Sequence, residues 1–141
     1  MKFSDIEQSQ WEELSPYLDT CLLPVTGLNG AEAPHEVTGQ LEQLRDVMEL
    51  VEIPFKGRIV TYPAYHYYEP DHVSRLEQVC LRLKDSGFRY IILITAKCRL
   101  QLQTEAADLI LAPYEDGQAL SSAQVKSDIQ AMWRQGADAA G

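Results

Sequence analysis

The sequence predicts a single α/β domain, a three-layer sandwich in which helices cover both faces of a short, mostly parallel, four-stranded sheet. Four short apolar runs alternate along the chain with segments of helical periodicity. Two of the runs, residues 91–94 and 109–112, are continuously apolar, as in strands buried on both faces. The chain has 141 residues, 45% of them apolar, which is the size of one domain and too apolar for a disordered protein.

Helix start and stop residues bracket the strands. Ser4 with Glu7, and Ser121 with Gln124, have the spacing of a capping box, in which two side chains satisfy backbone N–H groups at a helix start. Gly87 stands where a left-handed cap would end a helix. Apolar residues at helical spacing predict two crossover helices, one through Val37, Leu41, Leu44, Val47, Met48 and Val51 and the other through Val73, Leu76, Val79, Cys80 and Leu83.

The predicted order is helix, strand, helix, strand, helix, strand, short helix, strand, helix. Parallel neighbours of this kind are joined by right-handed crossovers. The third crossover is close to the minimum of about a dozen residues, so we expect at most two or three helical turns in it. The four predicted strands are residues 21–25, 58–62, 90–95 and 108–112.

The predicted strand order is 2-1-3-4, that of an abbreviated flavodoxin-like or Rossmann-like sheet. We expect the domain to occupy residues 1–135. Residues 136–141 are glycine, alanine and aspartate only, and they are expected to form a disordered tail.

The net charge of −9 comes from the first part of the chain. Residues 1–52 hold 11 acidic and two basic side chains, whereas residues 53–141 hold 10 of each. A phosphate backbone would find no basic stripe, so we expect no nucleic-acid binding. No run of 18 apolar residues exists and the first residues are acidic, so we expect neither membrane insertion nor export. Three cysteines without a C-x-x-C pair indicate reduced thiols and a cytoplasmic location.

The candidate binding site lies beyond the carboxyl ends of the strands. In an open parallel sheet a ligand crevice forms where the winding reverses. The predicted order places this point between the first and third strands, at residues 24–34 and 95–99. Here a histidine would serve as acid or base and a lysine would hold an anionic group. The candidate lining residues are Tyr62, His66, Thr95, Lys97 and Tyr114.

The most unusual segment is residues 61–70, called here the aromatic segment, which holds four of the seven tyrosines and one of the three histidines. In a binding loop it would offer ring faces, hydroxyl groups and an imidazole. Alternatively, its rings cover a sheet edge or form a subunit interface, where tyrosine is enriched. We favour the second interpretation, with Tyr65, Tyr67 and Tyr68 as interface candidates.

Other chemistries lack part of their pattern. Cys98 has cationic neighbours, which favour a thiolate, but the arginine that a phosphatase loop needs six positions later is Thr104. Gly27 and Gly30 match neither the dinucleotide fingerprint nor the P-loop. The histidines belong to no metal-binding motif, and only an opportunistic site at His66, Glu69 and His72 is suggested. We expect no catalytic residue, no metal and no cofactor.

Three stretches of the sequence together resemble one family. They are residues 17–25 (YLDTCLLPV), 55–64 (FKGRIVTYPA) and 87–95 (GFRYIILIT). They resemble the YpiF-like proteins of Gram-positive spore-forming bacteria, over nearly all of the chain up to about residue 115. That family is a domain of unknown function, so the resemblance implies a cytoplasmic bacterial protein and carries over no catalytic or binding residue.

The predicted function is that of a non-enzymatic, cytoplasmic protein that acts through protein contacts. These contacts would include self-association through the aromatic segment, as a homodimer or other homo-oligomer, since a parallel sheet must protect its edges. The alternative is a protein that binds a small anionic ligand, or a minor enzyme, with its pocket at the carboxyl ends of the strands.

Overall fold

Helices alternate with short strands along the chain up to the third strand, as the sequence predicts. The computed structural model describes residues 1–97, 102, 104–114 and 118–140. Two 3₁₀ turns, at Phe3–Asp5 and Pro70–His72, precede helices. The helices and strands are α1 (Gln8–Leu14), β1 (Thr20–Pro24), α2 (Pro34–Glu52), β2 (Ile59–Thr61), α3 (Val73–Asp85), β3 (Tyr90–Ile94), β4 (Leu109–Leu111) and α4 (Ser122–Ala140).

The four strands form one parallel sheet in the order β2-β1-β3-β4. β1 lies between β2 and β3, with Cys21 opposite Val60 on one side and Ile91 on the other. β4 pairs with β3, with Ile110 opposite Leu93. The predicted fold class and the predicted strand order are therefore confirmed.

Side chains of the central strands alternate between two apolar layers, one on each face of the sheet. Every residue of β1 and β3 is buried, so both faces of these strands need a covering layer. One layer contains Cys21, Leu23, Ile91 and Leu93 with Trp11 of α1 and Leu76 and Cys80 of α3. The other contains Leu22, Ile92 and Ile94 with Val51 of α2 and Val125, Ile129 and Met132 of α4.

The first helix begins later than the sequence predicts, and the capping box at Ser4 and Glu7 is wrong. A 3₁₀ turn precedes the helix, and in this turn the Lys2 N–H donates a hydrogen bond to Asp5 Oδ2 (2.9 Å). The start of α1 is instead marked by the Glu7 N–H, which donates to Gln10 Oε1 (3.3 Å). Glu7 and Gln10 thus have the spacing that was predicted for Ser4 and Glu7, three residues further along the chain.

The start of α4 and the end of α3 follow the sequence prediction. Ser121 Oγ accepts the N–H of Gln124 at 3.0 Å, which is the expected N-cap bond. Gly87 has φ 124°, and its N–H donates to Lys84 O (3.1 Å) while the next N–H, of Phe88, donates to Leu83 O (3.2 Å). These two bonds form a Schellman motif, which needs a residue that tolerates positive φ.

The connection between β3 and β4 was expected to hold a short helix. The described residues of this connection, 95–97, 102 and 104–108, are not helical. Thr104 Oγ1 accepts the Ala106 N–H at 3.2 Å, a local side-chain bond that favours a turn over a helix. Leu102 and Ala106 are buried in the layer that contains α3, so these two residues cover the sheet from outside a helix. The rest of the predicted short helix, residues 98–101 and 103, lies outside the described residues.

α4 continues to Ala140, past residue 136, where the sequence predicts a disordered tail. Arg89 Nη2 donates to the carbonyl oxygen of Gly136 at 2.6 Å. Any side chain at position 136 would overlap the ring of Tyr90, so the glycine permits close packing against β3. Alanine, which is frequent here, has the highest helix propensity. Tertiary contacts and propensity together extend the helix.

Arg58, directly before β2, joins the amino ends of the strands to α4. Its Nε and Nη2 donate to the two carboxylate oxygens of Asp19 at 2.9 and 3.1 Å. The guanidinium carbon lies 4.0 Å from the ring centroid of Trp133. Trp133 Nε1 donates to Thr20 Oγ1 (3.0 Å), and this hydroxyl donates to Asp19 Oδ1 (2.9 Å). Four side chains, from β1, α4 and the residues directly before β1 and β2, thus form a closed ring of contacts.

The outer edge of β2 is covered by the first two residues of the chain. The Thr61 N–H donates to Met1 O at 2.7 Å, and Met1 N donates to Ile59 O at 3.0 Å. Lys2 Nζ lies 3.1 Å from a carboxylate oxygen of Glu52, which fixes the segment to α2. An uncovered edge strand would be a template for another chain. In this structure the first residues of the same chain pair with that edge.

Within the described residues, no helix has the combination of length and apolarity that a bilayer crossing requires.

We predict that Arg58→Lys lowers the free energy of unfolding by about 1–2 kcal/mol, because lysine keeps the charge but loses the paired hydrogen bonds and the flat contact with Trp133. Urea denaturation followed by circular dichroism measures the change. Arg45→Lys is the matched control, because Arg45 has a 61% exposed side chain that pairs only loosely with Asp46 at 3.5 Å. The control should change stability by less than about 0.5 kcal/mol. Equal effects of the two substitutions would contradict this role for Arg58.

Candidate functional site

The five predicted lining residues are spread over the width of the sheet. Tyr62 follows β2 and Tyr114 follows β4, and these are the two edge strands. With about 4.8 Å between neighbouring strands, the two edges are about 14 Å apart. The described residues therefore do not bring the five side chains into one compact site.

Thr95 and Lys97 do lie together, at the end of β3. Thr95 is fully buried, and its Oγ1 accepts the N–H of Lys97 at 3.3 Å. The methylene chain of Lys97 crosses Gly27 so closely that any side chain at position 27 would overlap it. The buried hydroxyl of Thr95 thus accepts a hydrogen bond from a nearby backbone N–H, and the methylene chain of Lys97 packs on the loop that follows β1.

The loop after β1 already holds a carboxylate. Glu32 Oε2 accepts the N–H of Asn29 at 2.9 Å, and Glu32 Oε1 accepts the N–H of Gly30 at 3.0 Å. The bond from Asn29 is the main cause that lowers the pKa of Glu32, and the positive charge of Lys97 contributes less. Backbone N–H groups in glycine-containing loops commonly bind phosphate. Here they are satisfied by an acid of the same chain.

The aromatic segment continues the pairing of β1 and β2 and is not a free loop. The Tyr65 N–H donates to Pro24 O at 2.8 Å, and the Thr26 N–H donates to Tyr65 O at 3.0 Å. His66 is exposed, with Nδ1 3.2 Å from Thr26 Oγ1. The backbone of the segment is therefore held along β1, and the imidazole lies at the surface beside it.

The predicted interface tyrosines divide between core and surface. Tyr68 is only 3% exposed, and its ring meets that of the half-buried Tyr65 edge to face, with centroids 6.1 Å apart. Tyr67 is 57% exposed and has φ 59°, a left-handed conformation that is uncommon for a large side chain. Tyr68, one of the predicted interface candidates, is therefore packed in the core of this chain. Tyr67 is the surface ring of the three.

Tyr62 instead forms part of a groove that the sequence analysis did not find. The groove has a volume of about 300 Å³ and lies between the start of the chain and β2. The ring of Tyr62 lies 6.5 Å from that of Phe3 between centroids, and behind the groove it meets the buried Phe88 edge to face at 5.2 Å. We call it the N-terminal groove; its lining residues are Phe3, Ile6, Glu7, Gln8, Trp11, Val60 and Tyr62.

The rim of the N-terminal groove is acidic. Residues 3–14 carry four acidic side chains, Asp5, Glu7, Glu12 and Glu13, and no basic one. Glu7 and Glu12 also line a depression that adjoins the groove. The sequence feature that could have revealed this surface is the placement of Phe3, Ile6 and Trp11 in an otherwise acidic stretch.

A second pocket, of about 380 Å³, lies nearer to the predicted crevice. Ala96, Pro113 and Leu120 line it from the segments after β3 and β4 and before α4, and α2 contributes Gln43, Asp46 and Val47. Among the described residues that line it, Asp46 is the charged one. A carboxylate repels anions, so this pocket does not suit the anionic ligand that the sequence suggested.

One group of potential metal ligands occurs in the described residues. Glu69, Asp71 and His72 each offer a ligand atom, all within 4.8 Å of one another. The structure thus groups Glu69 and His72 with Asp71 in place of His66. The side chain of Asp71 is 79% exposed. Exposed carboxylates are well hydrated without an ion, so the group does not indicate a metal site.

The two described cysteines are unreactive core residues. Cys21 and Cys80 are fully buried, and neither forms a disulfide. Burial raises the pKa of the Cys21 thiol, and it raises that of Cys80 to about 11. Both therefore stay protonated and non-nucleophilic near neutral pH. Cys98, the cysteine with cationic neighbours, lies outside the described residues.

The sequence matches a family model over most of its length. The model is described as a protein of unknown function (DUF2487), and it matches residues 9–135. No curated protein matches the chain, and no solved structure does. Any functional conclusion therefore depends on the geometry described above.

The buried thiol of Cys80 predicts a stability change at alkaline pH. The pKa of Cys80 is raised in the folded state to about 11, so between pH 9 and 11 the unfolded chain has lost this proton and the folded chain has kept it. Stability due to the thiol is thus complete below the unfolded pKa and is lost as pH rises. We expect the advantage of the unsubstituted chain over Cys80→Ala to shrink by about 1–2 kcal/mol from pH 8 to pH 10.

Urea titrations at the two pH values measure this difference. Val79→Ala is the control, because it shortens a half-buried side chain of the same helix that does not titrate. Its difference from the unsubstituted chain should not vary with pH. A constant difference for Cys80→Ala as well would contradict a protonated, buried thiol.

Proposed function

Because the chain belongs to the DUF2487 family of proteins of unknown function, we propose its function from its structure: it is a non-enzymatic binding protein that docks a partner protein in the N-terminal groove. On the residues that resemble the YpiF-like proteins, we also propose that it is a cytoplasmic protein of a spore-forming bacterium. The buried, unpaired thiols of Cys21 and Cys80 support a reducing compartment.

The observation that carries this proposal is the exposed aromatic surface of the groove. Phe3 is 48% exposed, and the rings of Trp11 and Tyr62 are only half-buried beside it. Apolar patches with a polar rim often mark interaction sites, and aromatic residues are enriched at the centres of protein interfaces. The groove has both features.

The described residues support binding better than catalysis. The thiols of Cys21 and Cys80 are buried with raised pKa values, and the hydroxyl of Thr95 is bonded within its own turn. These groups do not supply an activated nucleophile. The charged lining residue of the second pocket, Asp46, also disfavours the alternative function, the binding of a small anionic ligand.

The aromatic segment supports self-association less well than the groove supports a partner. A stable interface buries about 800 Å² on each partner, whereas one aromatic side chain buries about 150–250 Å². Tyr68 lies in the core and Tyr65 is half-buried. Tyr67 is thus the main ring that this segment could offer to a second copy.

Site-specific photo-crosslinking in the cells that make the protein tests the docking proposal. We predict that a photoreactive phenylalanine in place of Phe3 forms a discrete crosslink to another protein, which mass spectrometry identifies. The same amino acid in place of Tyr114 is the control, because Tyr114 is 39% exposed, comparable with Phe3, but follows the opposite edge strand. No crosslink at position 3, or the same crosslinks at both positions, would contradict docking in the groove.

Light scattering behind a sizing column distinguishes docking of a partner in the groove from self-association through the aromatic segment. If the groove binds a different protein, the purified chain should be a monomer of 15.9 kDa at high micromolar concentration, and Tyr67→Ser should not change its mass. Tyr17→Ser, which removes another exposed ring, is the control. A dimer that only Tyr67→Ser dissociates would support the aromatic interface and contradict our choice.

A further inference from the structure

We propose that the partner segment that docks in the N-terminal groove is basic. It places an aromatic or aliphatic side chain against Phe3, Trp11 and Tyr62, and its lysine or arginine side chains meet the acidic rim. This inference rests on the proposed function and adds to it the chemistry of the partner.

The acidic residues lie beside the aromatic surface, where they could pair with the basic side chains of such a partner. Glu7 lines both the groove and the adjoining depression, and Glu12, five residues further along the chain, lines the depression. Both side chains are exposed, and no basic residue occurs between Phe3 and Leu14. A docked chain would therefore meet the apolar surface and negative charge side by side.

The neighbouring elements do not neutralise this surface. Lys2 lies next to the groove, but its Nζ is 3.1 Å from Glu52 of α2. On that side a further depression is lined by Lys2 and Lys56 and by three acids, Asp5, Glu49 and Glu52. With the amino group of Met1 in the same depression, three basic groups face the three acids, so the excess negative charge beside the groove comes from Glu7 and Glu12.

The groove suits a peptide side chain more than a large ligand. Its volume of about 300 Å³ is at the lower end of the range for small-molecule sites. Phe3, Trp11 and Tyr62 offer ring faces and edges, on which both apolar side chains and the guanidinium of arginine pack well. A short segment that alternates such residues would use the whole surface.

Charge also argues against two other occupants. A second copy would bring either residues 1–52, with a net charge of −9, or the neutral remainder. The first is repelled and the second gains nothing from the acidic rim. An anionic membrane surface is repelled for the same reason. A basic segment of another protein is the occupant that the rim attracts.

Selection from a displayed library of random 12-residue peptides tests the inference directly, because the bait itself chooses the sequences that bind. The full chain is the bait at low salt, and Phe3→Ser is used to remove peptides that bind elsewhere. Because about half of Phe3 is exposed and no core cluster includes it, this substitution should leave the fold intact, which circular dichroism verifies. We expect the remaining peptides to combine a large apolar residue with at least two lysines or arginines.

The role of the rim is then measured with the best selected peptide, labelled for fluorescence anisotropy. The double substitution Glu7→Gln with Glu12→Gln should weaken binding about threefold to tenfold, as expected for two exposed ion pairs. A rise in salt from 50 to 500 mM should weaken it as well. The control replaces Glu36 and Glu42 by glutamine, since both are exposed acids of α2 outside the groove, and it should leave the affinity unchanged.

The possible outcomes separate this inference from the proposed function. Neutral or acidic peptides that depend on Phe3 would overturn the basic partner but leave docking in the groove intact. A library without any Phe3-dependent peptide, or an affinity that is insensitive to both glutamine substitution and salt, would also overturn the inference. In those cases photo-crosslinking at position 3 decides independently whether the groove is a docking site.

Discussion

β1 and β3 are buried at every residue, so each needs a neighbouring strand on both sides and a layer of side chains above and below. Because β1 lies between β2 and β3, and β3 lies between β1 and β4, the in-plane requirement is met by two short edge strands. The faces are covered by helices. Arg58, through Asp19 and Trp133, ties the amino ends of the strands to α4, and the first two residues close the edge of β2. Most of the architecture follows from the burial of these two strands.

The covering is uneven, and the candidate site lies where it is thinnest. One face is covered by α2 and α4, which have 19 residues each, whereas the other is covered by α1 with 7 residues and α3 with 13. A helix of 7 residues is only about 10 Å long. Val60 and Tyr62 therefore form one side of the N-terminal groove, and a short, acidic stretch of chain forms the other. The groove forms because α1 is too short to cover all of the apolar surface beside β2.

Local patterns in the sequence predicted much of the fold and little of the site. Gly87 and Ser121 act through bonds to residues nearby in the chain, so their roles were predictable. The contact of Arg58 with Trp133 joins distant parts of the chain, and no spacing rule contains it. The predicted pocket combined Tyr62 and Tyr114 because both follow strands, although the predicted order already placed those strands at opposite edges. Composition likewise could not tell the buried Tyr68 from the exposed Tyr67.

The chain has two tryptophans, and they lie in contrasting surroundings. Trp11 is half-buried in the N-terminal groove, and Trp133 lies against a guanidinium and donates its N–H to Thr20. Indole emission depends on the polarity and the charges around the ring, so the two side chains report on different events. Separation of α4 from the sheet would change the surroundings of Trp133, and a partner docked in the groove, as proposed, would change those of Trp11. The protein therefore carries its own optical probes for stability and for binding, and replacement of either tryptophan by phenylalanine isolates the other.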